Sequence, residues 1–194
     1  AGGFVGHMET DAGLKIAGSS VDQVTSASGN AGGLVGSVTD GSIQLKEQGT
    51  DFSFADTLTV KAGSTLAAGG LIGYWLVTKG GAVSCDFSDY QFKKLVISGG
   101  QDVGGLFGLL KNTSTAKTAI FISASTANTM TSEVSGTVTN FGGIIGTYQS
   151  DQMDNTLTVK GESDKAIDAS TSGGANVNSS YGGIIGFISG NSYV

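Results

Sequence analysis

The side chains able to do chemistry are few and far apart. The chain holds one histidine, His7, and one cysteine, Cys85. A metal site or an acid–base relay at His7 would need partners that the nearby sequence does not supply. A single cysteine excludes an internal disulfide and any multi-cysteine metal site. Cys85 alternates with Val83 and Phe87, which marks it as an inward, inert core thiol. The carboxylates closest in sequence are Asp86 with Asp89, Asp151 with Asp154, and Asp164 with Asp168. Paired acids on one outer face would suit a polysaccharide-cleaving β-helix. Here they fall on loops or strand edges, and no two repeats place them at matching offsets. Calcium held by loop carboxylates and carbonyls is the one ion these acids suggest. No D-x-D-x-D-G loop is present, so no cofactor is expected. Thr57-Leu58-Thr59, Thr137-Val138-Thr139 and Thr156-Leu157-Thr158 would suit an ice-binding ladder if they stacked. Leu95-Val96-Ile97 breaks that ladder in the third repeat, and ordinary strand preference of threonine accounts for the strings. Asn112-Thr113-Ser114 and Asn178-Ser179-Ser180 match the glycosylation pattern, which arises readily in a Ser/Thr-rich chain. The reading is of no catalytic residue and no metal site.

The strongest signal is a repeat. One short string occurs six times: AGGFVG from Ala1, AGGLVG from Ala31, AGGLIG from Ala68, VGGLFG from Val103, FGGIIG from Phe141 and YGGIIG from Tyr181. Its first glycine falls at positions 2, 32, 69, 104, 142 and 182, so the spacing runs from 30 to 40 residues. Such self-similarity is the signature of a repeat architecture, in which no unit buries its apolar face alone. The Gly-rich string is not a phosphate loop, because no Gly-Lys-Ser/Thr follows it.

Each repeat reads as three short strands separated by Gly, Ser, Asn and Asp. The third repeat illustrates this with Leu71 to Val77, Val83 to Phe87, and Lys94 to Ile97. Elsewhere the second and third strands fall near 43–45 and 58–60, and near 120–122 and 134–138, with 157–159 in the fifth repeat. Protruding loops are expected at 124–133 and 161–180. The fold class that follows is all-β: a right-handed parallel β-solenoid of about six rungs, three strands per rung, forming a single domain over 1–194.

Strand parity assigns the faces. Phe4, Leu34, Leu71, Leu106, Ile144 and Ile184 form an inward column. The third glycines follow two residues later, then Met8, Val38, Trp75, Leu110, Tyr148 and Ile188. The glycine column is expected to leave room for a bulky side chain from a facing strand, with Phe87 the candidate. The opposite parity gives Val5, Val35, Ile72, Phe107, Ile145 and Ile185, an apolar column pointing outward. A continuous ladder of this kind is unusual on a free surface. It is expected either to lie under a long loop or a short helix of the same chain or to form an interface with another chain or a neighbouring domain.

Composition limits the partners. Of the 194 residues, 39% are apolar and 13% charged; Gly numbers 33 and Pro 0. The charged share is about half the usual ~25%, so disorder driven by charge is not expected. All ten basic residues are Lys, and the net charge is −6. Without a basic stripe or a guanidinium fork, nucleic acid is not an expected partner. No apolar run is long enough for a spanning helix, so membrane insertion is not expected.

Gly33-Leu34-Val35-Gly36, Gly70-Leu71-Ile72-Gly73 and Gly105-Leu106-Phe107-Gly108 resemble the GLUG motif, a Gly-Leu-any-Gly repeat of large bacterial surface and secreted proteins. These include adhesin-like proteins and some immunoglobulin-A-specific peptidases. The first copy carries Phe4 in the leucine place, and the last two carry Ile144 and Ile184. The resemblance implies an extracellular or cell-surface location, repeat architecture and no catalytic residue, since in the peptidases the motif lies outside the protease domain. The opening Ala1-Gly2-Gly3-Phe4 lacks a leader pattern, which fits either a removed leader or a start inside a longer protein; a fragment of a longer protein is expected. The functional expectation is a non-enzymatic structural or adhesive module. Its partners would be neighbouring domains, copies of itself stacked into filaments, or a host protein or glycan. The alternative is a carbohydrate-active β-helix enzyme.

Overall fold

The computed structural model describes residues 1–9, 21–40, 43–44, 58–87, 95–98, 100–124, 129–135, 137–152, 155–161, 168–172 and 176–190. Among these residues the chain is all-β with no helix, and every strand pairing is parallel.

Four sheets form, and the chain visits them in a fixed order. The motif sheet holds Val5–Glu9, Val35–Thr39, Ile72–Val77, Phe107–Asn112, Ile145–Ser150 and Ile185–Gly190, neighbouring one another in that sequence order. After a motif strand the chain enters a second sheet made of Ile43–Gln44, Gly81–Phe87, Thr118–Ala124 and Thr156–Gly161. A third sheet follows, made of Gln23–Thr25, Leu58–Lys61, Leu95–Ser98, Thr129–Ser135 and Asp168–Ser172. Last comes an entry sheet of Ala31–Gly32, Ala68–Gly69, Asp102–Gly104, Thr137–Gly142 and Asn176–Gly182. The next motif strand then starts the cycle again. Each strand pairs with its counterpart one repeat away, as Leu95 does with Leu58 on one side and Ser132 on the other. A sheet with only such neighbours is necessarily parallel, because successive strands in it are joined through the other three sheets.

Each of the second to fifth repeats therefore contributes four strands, where the sequence suggested three. The extra strand comes from the motif itself, which the Gly-Gly pair cuts in two. Ala68–Gly69 ends the entry sheet, Gly70 and Leu71 form a bend, and Ile72 opens the motif sheet. Two of the expected loops also contain strands. Thr129–Ser135 pairs with Leu95–Ser98, and Asp168–Ser172 pairs with Thr129–Ser135. The β-branched threonines of these segments suit a pleated strand once a neighbouring edge supplies hydrogen bonds. The remaining positions of the two expected loops, 125–128, 162–167 and 173–175, lie outside the described residues.

The interior is one apolar cluster. Leu34, Leu71, Leu106 and Ile144 are buried at the bend, with Val38, Trp75, Leu110 and Tyr148 further along the motif strand. Leu58, Val60, Val83, Cys85, Ile97, Ile120, Ile122 and Leu157 close the cluster from the second and third sheets. Each fully buried large side chain contributes about 1.5–3 kcal/mol of transfer free energy. The predicted inward column is correct except at its ends, where Phe4, Ile184 and Ile188 are exposed.

Parity fails for the other column. Val35, Ile72, Phe107 and Ile145 belong to the same buried cluster, and only Val5 and Ile185, at the outermost strands, are half-buried. In all five pairings of the motif sheet the ladder steps from the fifth motif residue to the seventh, passing over the third glycine, as from Phe107 to Leu109. Both paired strands pass over one residue there, so the register is kept while the alternation of buried side chains slips. The fifth residue then faces the same interior as the eighth, and Leu109 and Lys111 become the half-exposed positions.

Candidate interaction surface

The residues singled out for chemistry are dispersed. His7 is exposed on the outermost motif strand; its Nε2 lies 3.3 Å from Glu9 Oε1 and its Nδ1 3.4 Å from Ser37 Oγ. Cys85 is buried between Ile43 and Ile122 in the second sheet. Asp86 follows it in that sheet, Asp168 begins a strand of the third sheet, and Asp151 is exposed just after a motif strand. Asp89, Asp154 and Asp164 lie outside the described residues. Among the described residues no three of His, Cys, Asp and Glu gather as a metal site would require.

The threonine strings do not stack either. Thr59 is in the third sheet, Thr137 and Thr139 in the entry sheet, and Thr156 and Thr158 in the second, while Thr57 lies outside the described residues. Asn112 is buried, with its Oδ1 accepting the Ser114 amide at 3.1 Å, so it caps a corner and is sealed from a glycan. Asn178 lies within Asn176–Gly182.

Two polar arrangements escape a sequence reading. Asp40 follows a motif strand with φ of 57°, a conformation Asp tolerates better than most residues. Its carboxylate accepts the Thr78 amide at 2.5 Å, the Thr78 hydroxyl at 2.7 Å and the Lys79 amide at 3.1 Å. Burial alone would raise its pKa, but these hydrogen bonds and the Lys79 charge outweigh it and hold the carboxyl below its usual value. An Asp-Gly pair, Asp40-Gly41, is the one sequence signal that could have marked this turn; the partner one repeat away leaves none. In the second arrangement, Asp102 and Asn140 are paired neighbours in the entry sheet. Asn140 Nδ2 donates to Asp102 Oδ1 at 2.8 Å and to Thr147 Oγ1 at 3.2 Å, and the Thr147 hydroxyl donates to the same Asp102 oxygen. All three side chains are buried. Both carboxylates are thus engaged in holding one repeat to the next.

The motif glycines explain how closely the repeats approach. A Cβ at Gly73 would sit 2.6 Å from the Ala31 carbonyl oxygen and 2.7 Å from that of Gly36, both main-chain atoms of the preceding repeat. A Cβ at Gly69 would meet the Ile72 carbonyl across its own bend and the Gly108 amide, 2.6 Å away, in the following repeat. The glycines make room for main chain, not for the side chain of a facing strand as the sequence suggested. The side chain proposed for that space, Phe87, lies outside what is described.

Two glycines of the outermost repeats lack such approaches. A Cβ at Gly6 or Gly183 would meet nothing within 4 Å among the described residues. Both ends also carry exposed apolar side chains: Phe4 at one, and Tyr181, Ile184, Phe187 and Ile188 at the other. Comparison with protein-family models, curated proteins and solved structures finds no match to this chain.

Proposed function

We propose that the chain is a non-enzymatic structural or adhesive module of an extracellular or cell-surface protein, with its four sheets wound as a right-handed parallel β-solenoid. The observation that carries this reading is the fixed cycle of strands through four sheets, with each strand in register with its counterpart in adjacent repeats. Repeat stacks of this kind grow in one dimension and offer extended faces, which suits a spacer or contact surface. The GLUG-like strings support the surface location by resemblance. The engagement of Asp40 and Asp102 in repeat-to-repeat hydrogen bonds favours structure over acid–base work. Partners of the module are neighbouring domains, a host protein or a glycan.

The purified chain should be immobilised and exposed to a panel of acidic and neutral glycans and matrix proteins. Retention of a subset, with no new reducing ends or unsaturated products, is the expected result. Sustained glycan cleavage that survives repurification would replace this reading with a carbohydrate-active enzyme.

A further inference from the structure

We propose that one water molecule is a structural part of the core, held by Asn112, Tyr148 and Ser150 at the corner where the motif strands of the fourth and fifth repeats lead into the second sheet. The sequence prepares this corner. The tenth residue counted from the start of the motif string is Val77 in the third repeat, and it is fully buried. The fourth and fifth repeats carry Asn112 and Ser150 at that place, and both are fully buried as well. In the ladder Asn112 lies beside Val77 on one side and beside Ser150 on the other. Tyr148 stands two residues before Ser150 in the same strand and shares its inward face. Ser114, Thr118 and Asn155 are buried with them, so the corner is polar although it is closed to solvent.

Most of its polar groups are satisfied within the chain. Asn112 Oδ1 accepts the Ser114 amide at 3.1 Å, and Asn155 Oδ1 accepts the Thr118 amide at 2.9 Å. Ser150 Oγ accepts from Asn155 Nδ2 at 3.0 Å and donates to the Gln152 carbonyl at 3.4 Å. Two donors are left over. Asn112 Nδ2 and the Tyr148 hydroxyl are sealed from solvent, and neither closes a hydrogen bond to the other or to Ser150. Burial raises the pKa of the Tyr148 phenol, while Ser150 and Asn112 pull it down, which places both side chains around the hydroxyl. Buried donors without partners are rare in native proteins because each forfeits its hydration.

Polar groups that face one another without bonding directly are a usual seat for a bridging water. A water here accepts from Asn112 Nδ2 and from the Tyr148 hydroxyl, and donates to the remaining lone pair of Ser150 Oγ. That makes about three bonds, the usual number for an internal water. An anion would also satisfy the two donors, but it would bury a charge with no cation beside it among the residues of the corner. An apolar occupant would leave both donors unpaired. The water ties two repeats together, since Asn112 belongs to the fourth and Tyr148 and Ser150 to the fifth.

A high-resolution crystal structure of the wild-type chain should show one density peak within hydrogen-bond distance of Asn112 Nδ2, Tyr148 Oη and Ser150 Oγ. Tyr148→Phe keeps the ring and removes the hydroxyl. Its far-UV spectrum should be unchanged, and its melting temperature should fall by about 2–4 °C, the loss of one buried hydrogen bond in a chain of this size. Two outcomes overturn the proposal. One is a wild-type structure in which the hydroxyl and Asn112 bond directly to each other or to Ser150 with no peak between them. The other is a Tyr148→Phe variant that melts at or above the wild-type temperature, the mark of a hydroxyl with nothing to bond.

Discussion

Trp75 and Phe107 stack with ring centroids 5.8 Å apart and planes inclined by 21°, linking the third repeat to the fourth inside the core. Both side chains are fully buried. Strand parity would set them on opposite faces. The skipped ladder position at the third glycine brings them together, so the packing and the glycine spacing are one device. Phe107→Ala should cost about 3–5 kcal/mol of stability, because the surrounding repeats are held by their ladders and cannot collapse into the space. Equilibrium urea unfolding monitored by Trp75 fluorescence measures the loss. A Trp75→Leu, Phe107→Leu double-mutant cycle, followed by far-UV circular dichroism because Trp75 is the sole tryptophan, should leave a coupling of about 0.5–1.5 kcal/mol beyond the single effects. A coupling of zero would mean that the rings are merely adjacent.

The glycines of the motif should differ in tolerance by position in the stack rather than by sequence context. Gly73→Ala places a methyl 2.6 Å from the Ala31 carbonyl oxygen, and main chain on both sides resists displacement. A loss of about 1–3 kcal/mol is expected, the usual cost of overpacking. Gly6→Ala has the same neighbours in sequence pattern but no atom of the described residues within 4 Å, and should change the stability of the single chain by less than about 0.5 kcal/mol. Thermal melts of the two variants at a concentration where the chain is monomeric separate the outcomes. Equal destabilisation would show that the glycines act through backbone conformation and not through close approach.

Much of this architecture was legible because its cause is periodic. The recurring Gly-Gly string marks every bend, and alternation beyond it places Val38, Trp75, Leu110 and Tyr148 correctly inside. What escaped was whatever depended on a neighbour one repeat away. Phe107 looked outward because the slip at Gly108 leaves no trace in residue type. Residues 129–133 looked like a loop because their partner edge, Leu95–Ser98, lies more than thirty residues earlier. The Asp102–Asn140–Thr147 set could have been suspected from polar residues standing directly before two copies of the motif, but its third member comes from within the motif strand. The candidate surface was hardest to read. The apolar column proposed for it is core in its four middle members, and only Val5 and Ile185 remain at an accessible edge.

Cys85 offers a direct check on the second sheet. It is 1% exposed, with Ile43 and Ile122 as its neighbours in the ladder. A thiol so placed is shielded from reagents in solvent. Native protein should react with a water-soluble disulfide reagent at least a hundredfold more slowly than protein in denaturant, and the native rate should rise in parallel with unfolding. Rapid stoichiometric labelling of the folded chain would place Cys85 on an outer face and reverse the inside–outside assignment of Gly81–Phe87.

Asp40 sets an acid limit on the corner after the second motif strand. Its carboxyl is held below its ordinary value, so the native state binds a proton there less readily than the unfolded chain does. The sign follows from linkage: the contribution is fully present above the unfolded value of about 3.9 and disappears as pH falls through the lower folded value. Asp40→Ala should therefore be less stable than wild type at pH 7 by about 1.5–3 kcal/mol, the range for hydrogen bonds to a charged group. The gap between the two proteins should stay constant down to about pH 5 and narrow below pH 4. Unfolding free energies of both proteins, measured from pH 7 to pH 2.5, give the difference directly. A gap that persists unchanged at pH 2.5 would assign the effect to the positive φ and the shape of the turn rather than to the carboxylate's bonds with Thr78 and Lys79.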